Sequence, residues 1–116
     1  MTVIVYTHPE FERQFKRLRK KYHSLVDDYR SFLSSIANNP LQGVSLGNGV
    51  RKVRFAISSK GKGKSGGLRI ITFLVTEKDD EIYEITLLYI YDKKEMGNVS
   101  ERFINSLIKE ELKKER

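Results

Sequence analysis

Seven cations, Arg51, Lys52, Arg54, Lys60, Lys62, Lys64 and Arg69, fall within a stretch that contains no carboxylate. Such a run suits a polyanion, because each ammonium or guanidinium that meets a phosphate releases condensed counterions. The plainer alternative is a solvated hairpin tip that its lysines keep soluble, and the charge run alone divides evenly between the two. Gly61, Gly63 and Gly66 satisfy G-x-G-x-x-G, but a dinucleotide site needs a helix next, and Leu68-Arg69-Ile70-Ile71 reads as a strand. Gly63-Lys64-Ser65 resembles the end of a P-loop, yet Ser58 stands where its first glycine belongs. What is left is a backbone able to approach an anion closely, under lysines that can swing over it.

A second cluster follows Leu88: Tyr89, Tyr91, Asp92, Lys93, Lys94 and Glu95. Tyr89 reads as a core residue with its hydroxyl at the rim. Tyr91, nearer the exit on the same face, is placed to stack on a base, as aromatics beside cationic grooves do for unpaired RNA. His8 and His23 both fall at or beside expected helix ends, which suits helix-terminal or exposed residues better than catalysts. There is no cysteine, hence no disulfide or thiol chemistry, and no carboxylate pair at metal-ligand spacing. A two-metal nuclease needs clustered acids. Any RNA cleavage is therefore expected to need no metal and no cofactor.

The elements that must position these residues can be read from periodicity. Val3 to Tyr6 is a short β-prone strand. Thr7 and Glu10 have capping-box spacing ahead of an amphipathic helix, with Phe11, Phe15, Leu18 and Tyr22 inside and Arg13, Lys16, Arg17, Arg19, Lys20 and Lys21 outside. Ser24 and Asp27 open a second helix, whose stripe of Leu25, Tyr29, Phe32, Leu33 and Ile36 ends at Asn38-Asn39-Pro40. Leu41 to Gly49 reads as loop. Val53, Phe55 and Ile57 alternate with Lys52, Arg54 and Ala56 as a strand with one basic face, and Ser58 to Gly67 must be a loop. Leu68 to Val75 and Ile82 to Tyr91 are strands joined by the polar turn Glu77 to Glu81. Asn98 or Ser100 caps a last helix with Phe103, Ile104, Leu107, Ile108 and Leu112 on its apolar side.

The order β-α-α-β-β-β-α makes an α+β class: a small, twisted, mainly antiparallel sheet with helices packed on one face and the basic residues on the other. At 116 residues the chain is expected to be a single domain over 1–116. A net charge of +7 and a pI near 9.7 favour a polyanionic partner. No apolar run approaches the roughly 20 residues of a membrane helix, so a soluble cytoplasmic protein without a membrane partner is expected.

The run VRKVRFAISSKGKGKSGGLRIITF, followed by LLYIYDKKEMGNVS, resembles the RelE-type toxins, most closely the HigB branch. The resemblance runs in detail from about Val50 to Ser100 and elsewhere rests on element order. It implies a RelE-like fold and the toxin of a toxin–antitoxin module, a messenger-RNA endonuclease acting on the ribosome. It also implies a cognate antitoxin from an adjacent gene, of the helix-turn-helix HigA-like kind. Cleavage would follow attack of a ribose 2′-hydroxyl on the adjacent phosphate. By resemblance Lys64, Arg69, Tyr91 and Lys93 are catalytic, Lys52, Arg54, Lys60, Lys62 and Lys94 bind RNA, and Arg13, Lys16, Arg17 and Lys20 dock on the ribosome. Two alternatives stay open: a non-catalytic RNA-binding module, and a ParE-like relative acting on gyrase.

Overall fold

The computed structural model describes residues 1–60 and 67–114, Lys60 by its backbone alone. The elements run β1 (Thr2–Thr7), α1 (Pro9–Lys21), α2 (Leu25–Asn38), β2 (Val44–Gly47), β3 (Val50–Phe55), β4 (Leu68–Lys78), β5 (Ile82–Asp92) and α3 (Glu101–Leu112), with a 3₁₀ turn at Ser58–Lys60. Five strands form one mixed sheet in the order β1-β5-β4-β3-β2. Strands β2 to β5 meander antiparallel, and β1 joins β5 in parallel, from Thr2 opposite Ile82 to Thr7 opposite Leu87. A parallel neighbour cannot be reached by a tight turn, so a long excursion must separate β1 from β5. Among the described residues, no helix is long and apolar enough to cross a membrane.

Two expectations need correction. Leu41 to Gly49 is not all loop: Val44–Gly47 is a strand that pairs with β3. Asn48 and Gly49, at φ +54° and +79°, make the turn between them. Two successive left-handed residues match the twist of a two-residue hairpin, which Asn-Gly favours. The helices, moreover, do not share one face. Phe11, Leu18, Leu25, Phe32 and Ile36 of α1 and α2 pack with Val53, Phe55, Leu68, Ile70, Ile85, Leu87 and Ile90. Ile104 and Leu107 of α3 pack with Val50, Ile71, Phe73, Leu88, Tyr89 and Tyr91, on the opposite side. β4 and β5 carry apolar residues on both faces, and each face then needs a cover.

A register slip shapes that second side. Between Ile71 and Thr72 the partner in β5 jumps from Tyr89 to Leu87, so Leu88 is an extra residue. The bulge turns Leu88 and Tyr89 together toward α3.

The helix starts differ in chemistry. The N-cap of α1 is His8, whose Nδ1 accepts the Glu10 N–H at 2.9 Å, while the Thr7 hydroxyl donates to Glu12 instead. His8 is buried, with Nε2 3.2 Å from Glu110 Oε1 but not aligned for a hydrogen bond. Ser100 caps α3, its Oγ accepting the Phe103 N–H at 3.1 Å. In α3 the buried side is one residue out from expectation at its end. Leu112 is exposed, and Glu111 is buried with its carboxylate on the Thr86 hydroxyl at 3.0 Å.

β1 ends at Leu87, halfway along β5, and α1 takes over the remaining edge. The His8 N–H donates to the Leu87 carbonyl at 3.0 Å, and the Tyr22 hydroxyl reaches Asp92. Fourteen helical steps cover about 21 Å. The five strand steps from Leu87 to Asp92 cover about 17 Å, so the helix spans that edge.

Candidate functional site

Strand register places three of the expected site residues in one row. Arg54 of β3 lies opposite Arg69 of β4, and Arg69 lies opposite Tyr91 of β5. Side chains directly opposite in an antiparallel sheet share a face, and neighbouring strands stand about 4.8 Å apart, so the row is about 10 Å wide. The next row is Lys52, Ile71 and Tyr89, which puts Lys52 beside Arg54 on the same face. The basic strand and the Tyr89–Lys94 segment, remote in sequence, therefore meet through β4.

Exposure divides these residues. Arg54, Lys93 and Lys94 are exposed and Lys52 is half-buried. Arg69 and Tyr91 are each only 4 % exposed. The Arg69 Nη1 donates to the Leu68 carbonyl at 3.1 Å, which holds its guanidinium at the strand start. Tyr91 stacks on Tyr89 with centroids 6.1 Å apart, and Tyr89 meets Phe103 of α3 edge-on at 5.0 Å. The ring is thus packed in, and the expected base-stacking role does not suit it. What remains is the hydroxyl. Burial pushes the Tyr91 phenol pKa up, with Arg69 opposing, so at neutral pH it is a proton-bearing group.

Beyond β5 the chain makes a tight turn. The Asp92 carbonyl accepts both the Glu95 and Met96 amides at 3.0 Å, and its carboxylate accepts the Lys94 amide at 3.0 Å. Glu95 receives a two-point bond from Arg17, at 2.9 and 3.3 Å, which with the nearby Lys21 holds its carboxyl below the usual range despite partial burial.

The outer face of α1 is less uniform than its sequence suggests. Arg13 is held by Glu10 through two bonds, at 3.0 and 2.8 Å, and Arg17 by Glu95. Lys16 and Lys20 are exposed. Of the four residues expected to dock, two are thus engaged with carboxylates of the chain itself.

The acid-free run in sequence is not acid-free in space. From α2, Asp28 accepts the Ser58 N–H at 2.9 Å, the Ser58 hydroxyl at 2.7 Å and the Ser24 hydroxyl at 2.7 Å. Ser24 Oγ in turn accepts the Ser59 N–H at 2.9 Å. This clamp fixes the chain where it leaves β3 for the glycine segment. At the return, a Cβ on Gly67 would overlap the Phe55 carbonyl oxygen, so only glycine lets the chain enter β4 this close to β3. The Lys60 side chain and Lys62, Lys64 and the glycines between them lie outside the described residues.

Sequence reasoning placed Tyr22 on the inward stripe of α1, where it packs, and Asp92 in the strand-end cluster, but gave no hydrogen-bonding role to either or to Asp28. Their remote contacts, Ser58 for Asp28 and the Tyr22–Asp92 pair, join residues 30 or more apart in sequence, where no local pattern reaches. Compared with known protein families, the chain matches no family model.

Proposed function

We propose that this protein is a metal-independent endoribonuclease of the RelE/HigB toxin type, cutting messenger RNA on the ribosome and restrained by an antitoxin encoded beside it. The observation that carries the reading is the row Arg54–Arg69–Tyr91, with Lys52 beside it and Lys93 and Lys94 at the strand exit. In the reaction a ribose 2′-oxygen attacks the neighbouring phosphorus and loses its proton to a base. The bond to the 5′-oxygen then breaks, leaving a 2′,3′-cyclic phosphate and a protonated 5′-hydroxyl. Charge develops on the phosphate oxygens, and guanidinium and ammonium groups stabilise it where they are already oriented. Arg54 offers an open fork. Arg69, fixed by Leu68, suits the innermost contact. A neutral Tyr91 hydroxyl beside Arg69 fits a proton donor or a group that orients one. Lys64 and Lys93 are the remaining catalytic candidates, and Lys52, Lys60, Lys62 and Lys94 bind the RNA backbone.

One observation favours a second reading. With Arg69 and Tyr91 buried, the exposed Arg54, Lys93 and Lys94 alone would serve a non-catalytic RNA-binding module. Purified protein added to ribosomes carrying a defined messenger separates the two. Cuts ending in cyclic phosphate, abolished by Arg69→Ala and Lys64→Ala, support the nuclease; intact messenger with the protein bound supports the module. DNA breaks without RNA cuts on expression would point to gyrase instead.

A further inference from the structure

Asp92 is 1 % exposed, although it stands at the end of a strand beside two exposed lysines. A buried carboxylate is costly unless hydrogen bonds and opposite charge offset its lost hydration. Here both are present. Oδ1 accepts the Lys94 N–H at 3.0 Å, Oδ2 accepts the Tyr22 hydroxyl, and the Lys21 ammonium lies 3.7 Å from Oδ2. The Asp92 carbonyl takes the next two amides, those of Glu95 and Met96. Asp92 thus does for a single turn what an N-cap does for a helix, satisfying an amide that would otherwise be free to reorient. Tyr22 is the C-cap of α1, and Arg17 and Lys21 from the same helix end hold Glu95. A bulky apolar side chain would fill the place at less electrostatic cost. What the Asp92 side-chain oxygens supply, and an apolar chain would not, is a fixed backbone direction for residues 93–95.

We propose that Asp92 is a positioning residue. Through the Lys94 amide and the Tyr22 hydroxyl it sets where Lys93 and Lys94 stand relative to the Arg69–Tyr91 pair. Its chemical consequence rests on the endonuclease reading; its geometry does not. Long ammonium side chains on a loose turn must be ordered at each encounter with a phosphate, whereas a fixed turn leaves only the side chains to order.

Three variants test this. Asp92→Asn keeps an oxygen for the Lys94 amide, Asp92→Ala removes it, and Tyr22→Phe takes away one hydroxyl only. Amide hydrogen exchange at Lys94 and single-turnover cleavage of ribosome-bound messenger are the measurements. Asp92→Ala should lose protection at Lys94 and cleave about tenfold more slowly at saturation, with ribosome affinity unchanged. Asp92→Asn should keep most of both, and Tyr22→Phe should cost about threefold in rate. A folded Asp92→Ala with wild-type exchange at Lys94, or Ala and Asn variants equally slow, would overturn the proposal. If Asp92→Ala does not fold, wild-type exchange and rate in Tyr22→Phe overturn it. If the unmutated protein leaves messenger intact, the endonuclease reading falls. Loss of Lys94 protection in Asp92→Ala would then still support the positioning role, and retained protection would sink it.

Discussion

Gly67→Ala is the substitution whose effect follows most directly from the structure. The residue enters β4 pressed against β3, and an added Cβ would overlap the Phe55 carbonyl oxygen and stand 3.0 Å from the Phe55 carbonyl carbon and 3.2 Å from the Ala56 Cα. All three are backbone atoms, so no side chain can rotate away and the two strands must part by about an ångström. Forcing a methyl group into packed structure costs about 1–3 kcal/mol. Reduced freedom of the unfolded chain returns about 0.4–1 kcal/mol. Overlap with fixed backbone puts the first figure at its upper end, so the net loss is about 2 kcal/mol, and at about 4 °C per kcal/mol for a domain of this size the melting temperature should fall by about 8 °C. Gly97→Ala is the control, because a Cβ there meets nothing within 4 Å and its φ is not left-handed. Circular dichroism melts of the two variants side by side make the assay. A Gly67→Ala melt within about 1 °C of wild type would refute the close approach on which the Arg54–Arg69 register depends.

Two further outcomes follow from the titrating groups. Burial pulls the Asp28 carboxyl upward, yet the hydrogen bonds from Ser58 and Ser24 leave it below its ordinary value. A depressed folded pKa contributes stability above the unfolded value, about 3.9, and loses it as pH falls through the folded value. The gap in urea midpoint between wild type and Asp28→Asn should thus be constant from pH 7 to about 5 and shrink below about 4; a gap that widens in acid would contradict the clamp. For Tyr91, the phenolate absorbance that Tyr91→Phe removes should titrate above pH of about 10, and a lower midpoint would mean that the Arg69 charge outweighs burial.

Much of the framework was legible because periodicity is local. The stripes Phe11–Leu18 and Leu25–Ile36, the paired runs of β4 and β5, and the Ser100 cap all follow from residues within one or two turns of each other. β2 was read as loop although the Asn48-Gly49 pair is a hairpin signal, because its four residues are all exposed and carry no burial pattern to announce a strand. The side taken by α3 was not legible, since an amphipathic helix does not say which face of a doubly apolar sheet it covers. In the site, the charge run and the Tyr91–Lys94 segment stood out as residue types. Their meeting depended on a register that the bulge at Leu88 shifts by one, and the Asp28 and Asp92 anchors depended on partners from other elements. Burial of Arg69 and Tyr91 could not be read either, because it comes from tertiary packing.

The mismatch in length between β1 and β5 has a consequence for how this protein can fail. A strand with an unpaired edge is a template onto which another chain can add, and stacks of such additions grow into fibrils. The upper half of β5, Tyr-rich and strongly β-forming, would be such a template had α1 not settled along it from Leu87 to Asp92. The helix that carries the outer cations is also the cover over this part of the sheet edge. Substitutions that loosen α1 should therefore first appear as self-association, with turbidity or thioflavin binding rising while the rest of the sheet is still native.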